Sequence, residues 1–455
     1  MKNNVNSNEY NSSLDSLLSV AKAANTVPAD AFENFRVKRG LREMDGTGVM
    51  AGVTNIGNAH GYMLYEGERI ADEGKLEYRG YNMSDIVDGV SAENRYGFEE
   101  CAYVLLFGKL PTAEELNSFS TLLASKRHLP EHFTEDILMK APSPSIMNKM
   151  ATGVLSLYAY DENPDDTSLE NLLRQSVEVI ARLPVIAAQS YSIYRAKYHG
   201  GSLTLHAPKD GLSTAQNFLR VLRPDKQYTE EEARLLDLCM IIHAEHGGGN
   251  NSTFSCRVLS SSGTDTYSAI AAAIGSLKGP LHGGANIKVQ EMFDCIKGNV
   301  KDITDEEEVT EFLTKILRKE AYDGKGLIYG MGHAIYTKSD PRAVMLKKYA
   351  EELAIKKGYG DDFNLLETIE KVTPELFSKH KGYNKAMCAN VDLYSGLVYR
   401  MLDIPVELYT PLFAIARVSG WCAHRIEELE TAKKIIRPAY KSLAKPQLYI
   451  PMDER

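Results

Sequence analysis

The sequence predicts a mostly α-helical fold with a minor β element near its N-terminus. From Phe98 onward, apolar residues recur at helical spacing between recognisable helix starts and stops. Residues 36–90 differ: they are rich in glycine and aromatics and carry only short alternating runs. No regular succession of strands and helices appears, which argues against a parallel sheet.

Residues 1–35 read as an N-terminal extension with one loose helix over 14–24. In 36–90, Val49, Val53, Tyr62, Tyr65 and Tyr78 predict small β-hairpins. The run from Phe98 predicts a short helix stopped by Gly108. Thr112 with Glu115 and Thr229 with Glu232 have capping-box spacing and start helices over 114–127 and 230–246. Further helices are expected over 145–160, 168–197, 212–222, 265–278, 284–297, 305–320, 340–357, 363–380, 393–402 and 411–434. The 168–197 and 265–278 runs are apolar or small on several faces, so they belong in a core or an oligomer interface.

The chain has 455 residues, 44% of them hydrophobic and 25% charged, which is an ordinary globular composition with room for two or three domains. A formal net charge of −9 argues against a general nucleic-acid binder. No apolar run is long enough to span a membrane. The N-terminus lacks the apolar segment of a secretory signal and the arginines of a transit peptide. Six cysteines are scattered without a CxxC pair and read as reduced thiols of a cytoplasmic protein.

The stretch from His243 to Met292 concentrates chemistry. His246 is expected in the last turn of its helix, stopped by Gly247, Gly248 and Gly249; there the negative dipole end favours a donating or protonated imidazole. His282 precedes Gly283-Gly284 and a new helix, so the dipole favours a neutral imidazole, able to donate to a developing oxyanion. His243 and His246 could form a metal pair, but without a third ligand His243 reads better as a core histidine.

Three further motifs stand out. In YGMGHAIYTKSDPRA, glycines let backbone approach a ligand, and His333 with Arg342 suits a carbonyl-bearing carboxylate. The plain alternative is a glycine-rich turn capping the helix after Asp340. In CANVDLYSG, Asp392 precedes a helix and reads as its N-cap, or as a general base if it faces a dry pocket. In PLFAIARVSGW, Arg417 lies in so apolar a run that it requires an anionic partner. Arg437, in a basic tail, reads as a solvated charge.

Together and in this order, HAEHGGGNNSTF, GPLHGGAN, GMGHAIYTKSDPRA, NVDLYSG and PLFAIARVSGW resemble the citrate synthase family. GLREMDGTGV, EGKLEYRGY and LFGKLP resemble its N-terminal portion, so the resemblance runs from about Arg36 to Lys445. It implies a large helical domain over 36–283 and 403–455, and a small helical domain over 284–402 that closes the cleft. It also implies a homodimer with shared active sites and condensation of acetyl-CoA with oxaloacetate to citrate through an enol and citryl-CoA. No cofactor is implied beyond acetyl-CoA as substrate, and no nucleic-acid or membrane partner. Oxaloacetate would be held by His246, His333, Arg342 and Arg417, with Arg437 from the partner subunit. His282, His333 and Asp392 would be catalytic. CoA would be bound by Arg42, Leu327, Ile328, Tyr329, Gly330, Met331, Gly332 and Lys338.

The same resemblance admits a 2-methylcitrate synthase that takes propionyl-CoA, with Leu281, Ile335 and Tyr394 as candidate discriminators. A non-catalytic binding relative and a metal hydrolase using His243 and His246 are the readings from other classes.

Overall fold

The computed structural model describes residues 7–43, 45–382 and 386–455; residues 1–6 of the expected extension and Met44 lie outside the described residues. The chain divides into two compact units. The smaller combines the two ends, Met1–Ala51 and Arg437–Arg455, and holds helices α1 (Ser7–Ala24) and α2 (Ala29–Asn34). Arg39 lies over the Phe32 ring at 4.0 Å and Lys441 over Phe35 at 5.6 Å, cation–π contacts internal to this unit.

The larger unit, Gly52–Ile436, opens on a three-stranded antiparallel sheet. β1 (Gly57–Tyr65) and β2 (Glu68–Tyr78) form a hairpin with Tyr65 opposite Glu68, and β3 (Tyr81–Asn82) pairs with the end of β2. Glu66 and Gly67 both take positive φ, the two-residue turn that matches strand twist. The expected tyrosines fall on this hairpin. Val49 and Val53 do not: both lie outside the strands, and Val53 is 90% exposed. Gly48 and Gly52 beside them leave that run without a continuous pleated face.

Helices follow: α3 (Met83–Ala92), α4 (Phe98–Phe107), α5 (Ala113–Lys126), α6 (Ile146–Ser156), α7 (Leu169–His199), α8 (Thr214–Leu222), α9 (Glu230–His243) and α10 (Asn251–Ser260). Then come α11 (Thr266–Lys278), α12 (Ala285–Asn299), α13 (Glu306–Leu317), α14 (Pro341–Lys356), α15 (Gly360–Lys381), α16 (Val391–Met401) and α17 (Tyr409–Glu427). The fold class is therefore the expected one. Both capping boxes form, and Gly108 ends α4 in the left-handed region. The helices α3 and α10 were not expected. Their N-caps are asparagines, Asn82 and Asn250, whose side chains accept from Ser84 and Ser252.

Helix α17 is the axis of the core. It packs on α4, α7, α9, α10 and α11 and buries Trp421, Arg417 and Arg425 completely. Helix α7 is buried along most of its length, as its composition predicts. Among the described residues no helix is long and apolar enough to cross a membrane. All six cysteines are free thiols, five of them buried.

Candidate active site

The end of α9, the turn before α12, the loop before α14, the start of α16 and the middle of α17 supply the expected side chains. Helix α9 ends at His243, so His246 lies beyond the helix rather than in its last turn. The reason is tertiary. Arg417 Nε donates to the His243 carbonyl at 2.7 Å, and the Glu245 carboxylate accepts from the Gly247 N–H. His246 is buried, and burial with the positive charge of Arg342 drives its pKa well below the ordinary value. It is a neutral imidazole, which leaves the donating form of the two expected at a helix end and excludes the protonated one.

His246, His333 and Tyr336 form one ring cluster. The His246 ring meets His333 edge-on at 5.2 Å and Tyr336 at 5.5 Å, while Tyr336 stacks on His333 at 4.7 Å. His333 Nδ1 accepts the backbone N–H groups of Ile335 and Tyr336 at 3.1 and 3.2 Å. Nδ1 is thus occupied as an acceptor, and Nε2 stands 3.5 Å from Arg342 Nη2.

One buried carboxylate organises the loop before α14. Asp340 accepts from Arg342 Nε at 3.0 Å and Nη2 at 2.8 Å, caps α14 through the Arg342 N–H, and accepts the Val391 N–H at 3.2 Å. Burial opposes its ionisation, but Arg342 outweighs burial and holds its pKa below the ordinary value. Asp340 thus ties Arg342 to the first turn of α16. A second tie is strand-like: Gly332 N donates to Cys388 O and Asn390 N to Gly330 O, each at 2.8 Å. Gly330 allows this approach, since a Cβ there would lie 2.9 Å from Leu393 Cδ1.

Asp392 is not the N-cap of α16. Asn390 takes that place, its side chain accepting the Asp392 N–H at 3.0 Å. The Asp392 carboxyl stands in the first turn, released from capping. Burial, against the opposing charge of Arg342, raises its pKa to about 6. His282 lies in the turn before Gly284, the N-cap of α12. Its pKa is lowered to about 4 by burial and then by Arg417, so it is neutral as expected. His282 feels the charge of Arg417 and Asp392 that of Arg342, so the two flank one cationic cluster.

Arg417 is fully buried, and its Nη1 and Nη2 have no hydrogen-bond partner among the described residues. Burial brings its pKa down to about 10, against the opposing charge of Glu245, so it stays protonated at neutral pH. Glu245 fits between two glycines. A Cβ on Gly420 would lie 2.4 Å from its Oε2, and one on Gly57 would lie 2.6 Å from its Cγ. Its Oε1 accepts from His424 Nε2 at 2.9 Å, and His424 Nδ1 accepts in turn from Arg257 Nε at 3.1 Å.

Other expected residues fall elsewhere. Arg42 and Arg437 belong to the smaller unit; Arg42 donates to the Gly46 carbonyl at 2.8 Å, and Arg437 is exposed. In the 327–332 loop, Leu327 is exposed, Ile328 is buried, the Tyr329 hydroxyl donates to Asp323 at 2.7 Å, and Met331 bridges to Ala389. Lys338 is exposed, while the Thr337 hydroxyl beside it is engaged with the backbone of Gly61 and Asp72. Of the candidate discriminators, Leu281 is exposed, Ile335 is half-buried, and Tyr394 is buried with its hydroxyl on Glu370. Sequence reasoning overlooked Asp340 as a partner of Arg342, Glu245, and Tyr336. The signals were present: an aspartate directly before Pro341, and a tyrosine three residues after His333.

No group of three or more histidine, cysteine or carboxylate side chains among the described residues is arranged to hold a metal ion. The site is built instead from two guanidinium groups, neutral imidazoles and one carboxylate of raised pKa. Fold and site together define a condensing acyltransferase. The chain belongs to the citrate synthase family: the profile described as citrate synthase, C-terminal domain, matches residues 45–439. It is 36% identical over 384 residues to a citrate synthase of Synechocystis, covering 84% of this chain and 89% of that one. It is 32% identical over 390 residues to 2-methylcitrate synthase 1 of Corynebacterium glutamicum, covering 84% of this chain and 93% of that one. Among solved structures, it is similar to the ternary complex of carboxymethyl coenzyme A and oxaloacetate with citrate synthase from Thermoplasma acidophilum. That likeness has a TM-score of 0.73 and 27% identity, over 92% of this chain and 99% of that one.

Proposed function

We propose that this chain condenses acetyl-CoA with oxaloacetate and water to give citrate and CoA. The observation that carries this reading is Arg417, a buried cation with both terminal nitrogens unpaired among the described residues. A carboxylate would satisfy both at once in a forked pair. Arg342, whose Nη2 lies 3.5 Å from His333 Nε2, supplies a second cation beside that imidazole. That set suits a dicarboxylate with a ketone between its ends, with Arg437 contributed by the second copy in a homodimer.

The chemistry follows from acidity. The methyl of a thioester is a weak carbon acid, so a base needs simultaneous stabilisation of the developing oxygen charge. Asp392, its pKa raised to about 6, takes the methyl proton. Neutral His282 donates to the enol oxygen, and His333 polarises the ketone that the enol carbon attacks. Citryl-CoA is then hydrolysed in the site. Residues 284–402 act as the part that closes over the cleft and excludes water until the condensation is complete. CoA lies along 327–332 with Lys338 near its phosphates, and no further cofactor takes part. The free, mostly buried cysteines support a reducing compartment such as the cytoplasm.

The relative named 2-methylcitrate synthase motivates a second reading, with propionyl-CoA as acyl donor. One methylene is worth only about 1–3 kcal/mol in an apolar pocket. Incubation of the protein with oxaloacetate and each thioester, with products identified by mass spectrometry, tests both readings. Citrate as the favoured product supports the first. Preferred formation of 2-methylcitrate moves the assignment to the second, and no product from either thioester overturns both.

A further inference from the structure

Tyr336 is 1% exposed, and its hydroxyl is buried without a hydrogen-bond partner among the described residues. A buried hydroxyl normally finds a partner, because leaving it unpaired forfeits the hydrogen bonds it made to water. The surroundings of this one are those of the proposed oxaloacetate site. Its ring stacks on His333 at 4.7 Å, meets the edge of His246 at 5.5 Å, and lies 5.5 Å from the Arg342 guanidinium carbon.

The ring is also fixed in place. The β1–β2 hairpin presses two glycines against its segment: a Cβ on Gly61 would lie 2.6 Å from Tyr336 Cα, and one on Gly74 would lie 2.9 Å from Tyr336 Cδ1. Arg69 Nη2 holds the same segment through the carbonyls of Ala334 and Ile335 at 3.0 and 3.1 Å. A donor held rigidly among two imidazoles and an arginine is preorganised for an oxygen of a bound anion.

We propose that Tyr336 is a further substrate-contacting residue, its hydroxyl donating a hydrogen bond to an oxygen of the 2-oxo dicarboxylate held by Arg342 and Arg417. This rests on the reading of the site as an oxaloacetate site. Because Tyr336 stands with the histidines and arginines of that site, it acts on the 2-oxo acid and not on the acyl-CoA.

Tyr336→Phe keeps the ring stack and removes only the hydroxyl. The test compares wild type and variant by thermal melting with and without oxaloacetate, and by steady-state kinetics. The free variant is expected to melt at or above the wild-type temperature. The stabilisation given by oxaloacetate alone should shrink, and KM for oxaloacetate should rise roughly 10- to 100-fold with KM for the acyl-CoA unchanged. A variant that retains the full oxaloacetate shift and KM overturns the role of Tyr336. So does a free variant that melts several degrees lower, since the hydroxyl would then have a structural partner. A wild-type protein that oxaloacetate does not stabilise overturns the reading of the site itself, and this proposal with it.

Discussion

Arg417 Nε donates to the carbonyl oxygen of His243 at 2.7 Å, and this bond ends helix α9 where His246 must turn into the site. The guanidinium carries two further nitrogens that no described residue pairs. A buried cation kept this way costs stability in the free protein and is compensated when an anion binds.

Replacement of Arg417 by Met removes that cation at similar length. KM for oxaloacetate should rise by at least about 100-fold, the scale of losing one partner from a desolvated charge pair. Without ligand, relief of the unpaired charge is offset by loss of the bond to the His243 carbonyl, so melting curves should place the variant within a few degrees of wild type.

Asp392 governs the acid side of the pH profile. Its folded pKa of about 6 lies above the ordinary 3.8, so between the two the native protein binds more protons than the unfolded chain. Stability contributed by this group therefore falls as pH rises through that window, and the cost is fully present above it. Asp392→Asn should raise stability at neutral pH by up to about 3 kcal/mol in urea unfolding. In wild type, kcat/KM should climb as pH passes about 6, and the variant should lose turnover throughout.

His282 behaves in the opposite sense. Its folded pKa of about 4 lies below the ordinary 6.5, so its contribution to stability is present above the ordinary value and is lost as pH falls towards 4. Its imidazole should stay at least about nine-tenths neutral between pH 7 and pH 5 by NMR titration. Midpoint titration near neutral pH would contradict its role as a neutral donor.

Asp340→Asn breaks a buried ion pair from one side, leaving Arg342 uncompensated. The expected loss is roughly 3–5 kcal/mol of stability. Because Asp340 also accepts the Val391 N–H, both oxaloacetate affinity and turnover should fall in kinetic assays, the first through Arg342 and the second through the displaced Asp392.

Gly74→Ala tests the clasp of the hairpin on the 333–342 segment. A Cβ there would lie 2.1 Å from the Ser339 carbonyl oxygen, and backbone must move to admit it. The variant should lose roughly 1–3 kcal/mol in urea unfolding and raise KM for oxaloacetate.

The helical fold was legible because each helix carries its own signal. The Thr229 and Thr112 capping boxes and the Gly108 stop depend only on neighbours in sequence, and all three formed. The same kind of signal, Asn82 before Ser84 and Asn250 before Ser252, marks the starts of α3 and α10. Helix α9 ends three residues before His246, short of the expected 230–246, because the bond that ends it comes from Arg417 in α17, remote in sequence. Asp392 read as a cap because a carboxylate before a helix usually is one; only the geometry shows Asn390 in that place. Tyr336 carries no pattern by itself, and its unpaired hydroxyl is visible only once the hairpin is folded over it.

The most direct measurement is thiol release from acetyl-CoA in the presence and absence of oxaloacetate, with Asp392→Ala alongside. Release by wild type should depend on oxaloacetate and fall by at least about 1,000-fold in the variant, whose circular dichroism should match wild type. Release that is undiminished in the variant, or absent from wild type, would contradict Asp392 as the base of a condensing enzyme.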